Sequence, residues 1–175
     1  MTTVGHSITG LSIAVLFAPQ FPTVTKRIVY YVLFTLCALI PDLEIHGWGH
    51  HRYHVSHSLV IMISAVIGIS IFSLIIPFIR RNKVYWRFFI GCAIAWLSHF
   101  FLDSLYNHGK GVLVMWPLSE GRLNFALPWF STIPDFPVTM VHVRIVLIEF
   151  IFYTPLLLIS ILLKKAYKRK MSCEG

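Results

Sequence analysis

Apolar residues in this chain run in long blocks, and the polar and basic residues between them fall in short clusters. The first block, Ser7 to Ala18, stops before Pro19 and Pro22, and the second, Ile28 to Ile40, stops at Pro41. Leu59 to Ile79 is the clearest span, with Pro77 near its end and Arg80-Arg81-Asn82-Lys83 beyond. Tyr85 to Leu102 begins with aromatics of the membrane-interface type, and Val143 to Leu163 runs into Lys164-Lys165 and Lys168-Arg169-Lys170. Between these last two lies a stretch broken by Gly109, Gly111, Pro117, Gly121, Pro128, Pro134 and Pro137, which reads as a re-entrant or surface-lying cap. The pattern predicts an all-α, multi-pass helical membrane protein. Its single integral membrane domain, 1–175, has helices at about 7–19, 27–40, 58–79, 84–103 and 143–163 and a Gly/Pro-rich cap loop at 104–142. The first two helices are short for a span, at ~22 Å against a hydrocarbon core of ~30 Å. There is no internal repeat and no low-complexity segment.

Composition points the same way. Of the 175 residues, 57% are hydrophobic and only 13% charged, against roughly a quarter charged in a soluble domain. The formal charge of +8 raises nucleic acid as a partner, but the basic residues sit in clusters between apolar runs, as orientation charges do, so no nucleic acid is expected. Cys37 and Cys92 lie inside apolar runs and Cys173 in the basic tail, a spacing that predicts neither disulfides nor thiolate ligands. Met1 to Thr3 lacks the positive start of a cleavable leader.

If consecutive helices alternate in direction, the start of the first, the end of the second, the start of the third and the end of the fourth share one membrane face. That face then carries His6, Asp42, His57, His99 and Asp103. Eleven Lys or Arg fall on the opposite face and four (Arg52, Lys110, Arg122, Arg144) on the histidine face. The positive-inside rule makes the basic face cytoplasmic, with the N-terminus outside and the polar site extracytoplasmic in a cell (plasma or inner) membrane.

Four of the nine histidines lie between Gly49 and Ser58, and polar groups near a bilayer are costly without partners. His51, His54 and His57 recur every three residues, whereas His46 and His50 are expected to be exposed. His99 and Asp103 form an i,i+4 pair, which projects both side chains from one helix face, although a helix-steadying hydrogen bond explains that pair as well. Asp42 follows Pro41 on a turn, where it either caps or ligates. Ser7, Ser56 and Ser58 read as caps, since no nucleophile elbow surrounds them. Histidine and carboxylate donors without cysteine suit a divalent metal: Zn²⁺ first, with Mn²⁺, Fe²⁺ or Ni²⁺ as alternatives. The number of donors makes two ions as admissible as one. Glu44, His54 and Asp103 are the candidates to move a proton. Arg52 and Arg122 are weak candidates for meeting an anionic substrate, against ordinary surface arginines.

These motifs, taken in order, resemble the membrane-bound metal-dependent hydrolases often called YdjM-like. The matching pieces are Gly5-His6-Ser7, Leu39-Ile40-Pro41-Asp42-Leu43-Glu44, His51-Arg52 with Ser56-His57-Ser58-Leu59, Leu97-Ser98-His99-Phe100-Phe101-Leu102-Asp103, and Gly111-Val112-Leu113 running into Trp116-Pro117-Leu118. The likeness covers the chain to about Pro128. It departs where His51 and His57 stand six apart, with Tyr53 in place of the family's glycine and His54 added, so either His51 or His54 takes the family's first histidine role. Glu44 stands where the family tends to have a second aspartate. The resemblance implies a helical membrane hydrolase with His6, Asp42, His57, His99 and Asp103 as site residues.

The expected metal ligands are therefore His6, Asp42, His51, His57, His99 and Asp103, holding one or two ions. The expected reaction is attack of metal-activated water on an ester or phosphoester, with a lipid among the candidate substrates. The competing reading is a non-enzymatic metal-binding membrane protein, a sensor or transport accessory. A transporter is less suited, because the polar groups gather at one end rather than along the midplane. A purely structural protein would leave the convergence of separate motifs on one face unexplained. Beyond the lipid bilayer, the sequence identifies no partner and no oligomeric state.

Overall fold

The computed structural model describes residues 3–42, 57–77, 81–106, 112–125, 127–131 and 138–173. Among these are five α-helices: α1 (Thr3–Phe17), α2 (Val24–Leu39), α3 (Leu59–Ile75), α4 (Lys83–Leu105) and α5 (Met140–Cys173). A 3₁₀ turn, Ile40–Asp42, continues α2. The strands β1 (Val112–Leu113) and β2 (Arg122–Leu123) pair antiparallel, Val112 opposite Leu123. This ribbon lies in the expected cap loop. Two-residue strands carry too little alternation to be read from sequence.

The helix ends differ from the apolar blocks because caps set them. Thr23 is extended and its hydroxyl accepts from the Lys26 amide, so α2 begins at Val24 and takes Lys26 and Arg27 into its first turns. With the 3₁₀ turn it forms a 19-residue apolar stretch, long enough to cross a membrane, contrary to the short helix expected. Val84–Leu105 and Met140–Lys170 also meet that length. The block expected to be the clearest span instead forms the shorter α3, whose 17 residues reach about 25 Å at ~1.5 Å each. Ile76, before Pro77, leaves the helical region at ψ 109°, as a residue preceding proline prefers.

Helix α1 is the hub, packed on α2, α4 and α5, while α3 packs on α4. Ile13 and Ala14 of α1, Phe34 and Ala38 of α2 and Ala95 of α4 form the main core. Gly10 allows a close approach of α1 to α2, since a Cβ there would lie 2.9 Å from Ala38 Cβ and 3.1 Å from Phe34 O. A second cluster joins Leu102, Tyr106, Phe130 and Tyr153, and a third joins Met62, Phe100 and Val112. Large apolar side chains such as Ile28, Val32, Ile71, Phe150 and Leu158 stay exposed along the outer helix faces. In water that surface would be a liability, whereas against acyl chains it is ordinary.

Candidate metal centre

Four helix ends deliver five polar side chains to one place. His6 lies in the first turns of α1, and Asp42 closes the 3₁₀ turn after α2. His57 directly precedes Ser58, the N-cap of α3. His99 and Asp103 stand on one face of α4, one turn apart. His6, His57, His99 and Asp103 are buried, and Asp42 keeps 22% of its side chain exposed, so the opening of the cluster is on the Asp42 side.

The distances are those of a shared coordination shell. His57 Nε2 lies 3.3 Å from Asp42 Oδ1 and 3.1 Å from Asp103 Oδ2. His99 Nε2 lies 3.4 Å from each of the same two oxygens and 3.1 Å from His57 Nε2. His6 Nε2 is 3.2 Å from Asp103 Oδ1 and 3.7 Å from Asp42 Oδ2. Donors each ~2.1 Å from one ion stand roughly 3.0–3.4 Å apart in octahedral or tetrahedral arrangements. One donor atom from each of Asp42, His57, His99 and Asp103 fits within 4.8 Å of all the others, a group that can hold a metal ion.

Tautomer chemistry strengthens the fit. His99 Nδ1 is 2.8 Å from the Ala38 carbonyl, which can only accept, so Nδ1 carries the proton. In the neutral ring the Nε2 lone pair then faces two carboxylate oxygens. Lone pairs that close repel unless a cation lies between them. A ring N–H donated to a backbone carbonyl is the usual outer-shell support of a metal-bound histidine.

A second buried group backs the centre. Glu149, in the first third of α5, is fully buried, and its Oε2 accepts the Gly5 amide at 3.0 Å. That amide is one of the first-turn donors of α1 with no partner inside the helix, and a carboxylate there also suits the helix dipole. Beside Glu149, the hydroxyls of Tyr106 and Tyr153 are 3.5 Å apart. Burial first, then Tyr153 and Glu149, pushes the Tyr106 phenol above its usual range. The motif reading missed Glu149. The available signal is a lone carboxylate inside the apolar run 143–163, since an ionisable residue in a membrane helix needs a named partner.

Of the other expected site residues, Glu44, His51, Arg52 and His54 lie outside the described residues. They belong to the connector 43–56, and the residues flanking it, Asp42 and His57, are both in the cluster. Arg122 is exposed on β2. Ser58, expected as a cap, caps α3 and also donates from Oγ to the Trp116 carbonyl at 2.6 Å, tying the ribbon loop to the helix beside His57.

The model of the YdjM inner membrane protein family matches residues 1–170. The chain therefore belongs to that family and is a multi-pass helical inner membrane protein. No curated protein and no solved structure gives a significant match.

Proposed function

We propose that this member of the YdjM inner membrane protein family is a metal-dependent hydrolase acting on an ester or phosphoester, with lipids as the first class to try. The observation that carries the reading is the convergence of three imidazole Nε2 atoms and two carboxylates, with His99 held in the tautomer a metal ligand needs. His6, Asp42, His57, His99 and Asp103 form the ligand set. The donors of Asp42, His57, His99 and Asp103, packed within 4.8 Å of one another, favour a single ion, because two ions ~3.5–4 Å apart would spread their outer ligands further. Zn²⁺ suits a histidine-rich set best, with Mn²⁺, Fe²⁺ and Ni²⁺ as the comparison ions. Such an ion supplies Lewis acidity and makes hydroxide available near neutral pH.

The chain's own residues do the rest. Buried walls around His6, His99 and Asp103 exclude water from all sides but that of Asp42, so the ester approaches there. Asp42 and His57 flank the connector 43–56 in sequence, and from it Glu44 is the candidate to take the proton from water. His54 is the candidate to return it to the leaving oxygen, with His51 or His54 an added ligand. Arg52 and Arg122 are the candidates to meet a phosphoryl anion. The basic-residue asymmetry turns this mouth to the extracytoplasmic side.

Elemental analysis of purified wild type against His57→Ala and Asp103→Ala tests the centre. Metal-free wild type would refute it. Hydrolysis of a phosphoester and lipid panel, lost in both variants, separates an enzyme from a metal-binding sensor or transport accessory.

A further inference from the structure

The end of the bundle opposite the His/Asp cluster contains a different set of groups. Three adjoining clefts, of about 460, 480 and 500 Å³, share Lys164 and run from the end of α1 past the start of α2 to the last turns of α5. Arg27, Arg87 and Lys168 border them, and among the described residues no carboxylate lines any of the three. Lys164 is committed to the fold, for its Nζ donates to Leu16 O at 3.0 Å and Ala18 O at 2.5 Å, capping the carbonyl end of α1. Arg27, Arg87 and Lys168 have no ion-pair partner among the described residues. Orientation charges need only lie on one face of the membrane. These border a cavity.

The cavity is also amphipathic. One cleft is walled by Leu16, Phe17 and Leu163, with Arg87 and Lys164 at its polar edge. Leu16 and Leu163 are 40% and 56% exposed, so this wall continues into the outer apolar faces of α1 and α5. The neighbouring clefts add Gln20, Thr23 and Tyr31, neutral hydrogen-bonding groups beside the cations. A soluble anion would need only the cations and would gain nothing from the apolar wall. A molecule with a phosphate at one end and acyl chains at the other uses both.

We propose that this cleft binds an anionic phospholipid, its headgroup phosphate held by Arg27, Arg87 and Lys168 and the start of its acyl chains laid on Leu16, Phe17 and Leu163. Basic recesses between membrane helices are suited to such headgroups, and the charge-derived orientation turns this one to the cytoplasmic leaflet. The site is independent of the metal centre at the other end of the bundle, and the proposal does not rest on the hydrolase reading.

The test uses the full chain in a neutral detergent, titrated with phosphatidylglycerol or phosphatidylcholine and followed by native mass spectrometry. Wild type should retain phosphatidylglycerol at least ~10-fold more tightly than phosphatidylcholine. The double variant Arg87→Gln/Lys168→Gln, which leaves the Lys164 cap in place, should lose that preference while keeping the wild-type unfolding temperature. Equal retention of the two lipids, or an undiminished preference in the variant, would overturn the proposal. So would displacement of the lipid by inorganic phosphate at equal concentration, which would make the cleft a site for soluble phosphate.

Discussion

The imidazole rings of His6 and His99 are stacked, their centroids 3.7 Å apart and their planes 10° from parallel. Two imidazolium charges at that separation would repel by about 4 kcal/mol at an effective dielectric near 20, so the pair cannot both be protonated at modest cost. A divalent ion would hold both rings neutral and neutralise Asp42 and Asp103 as well. Metal uptake by a partly protonated cluster therefore releases protons. Calorimetric Zn²⁺ titrations should give heats that depend on the ionisation enthalpy of the buffer. Identical heats in two buffers of different ionisation enthalpy would contradict this account.

Loading should also stabilise the fold, because the donors come from α1, α2, α3 and α4 and are brought together only in the folded chain. An ion at 100 times its dissociation constant adds ~2.7 kcal/mol. A chelator should accordingly lower the unfolding temperature of wild type by several degrees. It should leave His99→Ala, already depleted of metal, where it was. An equal chelator effect on both proteins would place the metal elsewhere.

Glu149 supports the centre from α5 by accepting a hydrogen bond from the amide of Gly5, the residue before His6. Glu149→Ala leaves that buried amide unsatisfied and should cost about 1–3 kcal/mol. It should also weaken metal affinity, by roughly the 10–100-fold typical of outer-shell losses. Glu149→Gln keeps an acceptor oxygen and should recover most of the affinity. Chelator competition on both variants decides it: a Gln variant as weak as the Ala variant would mean that charge, not the hydrogen bond, supports His6.

Much of the cluster's geometry is legible in the sequence because its members mark the ends of apolar runs. His6, Asp42 and His57 flank three of them, and His99 and Asp103 share a helix face through plain i,i+4 arithmetic. The helix starts are harder. An apolar run records where lipid begins, whereas Thr23 and Asn82 set where hydrogen bonding begins, and the two differ by several residues. Glu149 escapes motif reading because it has no polar neighbour in sequence, and its partner Gly5 lies at the far end of the chain. The basic clefts escape it too, since Arg27, Arg87 and Lys168 belong to separate clusters that only the packing of α1, α2, α4 and α5 joins.

Gly10 links packing to the site. Its missing Cβ lets α1 approach α2 at Ala38, whose carbonyl fixes the His99 ring. Gly10→Ala forces the two backbones apart and should cost about 1–3 kcal/mol, as overpacking does. It should also reduce metal affinity by misplacing the Ala38 carbonyl. Gly68→Ala is the control, for among the described residues no neighbour outside its own helix backbone lies within 4 Å of that Cβ. Its helical gain over glycine should leave stability unchanged or raised by up to ~1 kcal/mol. Thermal unfolding of the two variants checks both, and equal effects would contradict the close approach at Gly10.

Ser58 holds two jobs in one hydroxyl, and the distances rank them. Its Oγ accepts from the Ile61 amide at 3.5 Å, a long capping bond, and donates to the Trp116 carbonyl at 2.6 Å. The second bond therefore contributes more, fixing the ribbon loop over the start of α3 and with it the backbone next to His57. Loss of a cap alone costs ~1 kcal/mol with alanine and only a few tenths with glycine, which tolerates the N-cap position. If the tether dominates, Ser58→Gly should be nearly as destabilising as Ser58→Ala, and both should weaken metal binding several-fold through His57. Unfolding curves of the two variants separate the roles. A glycine variant close to wild type would show that capping, not the bond to Trp116, is what Ser58 supplies.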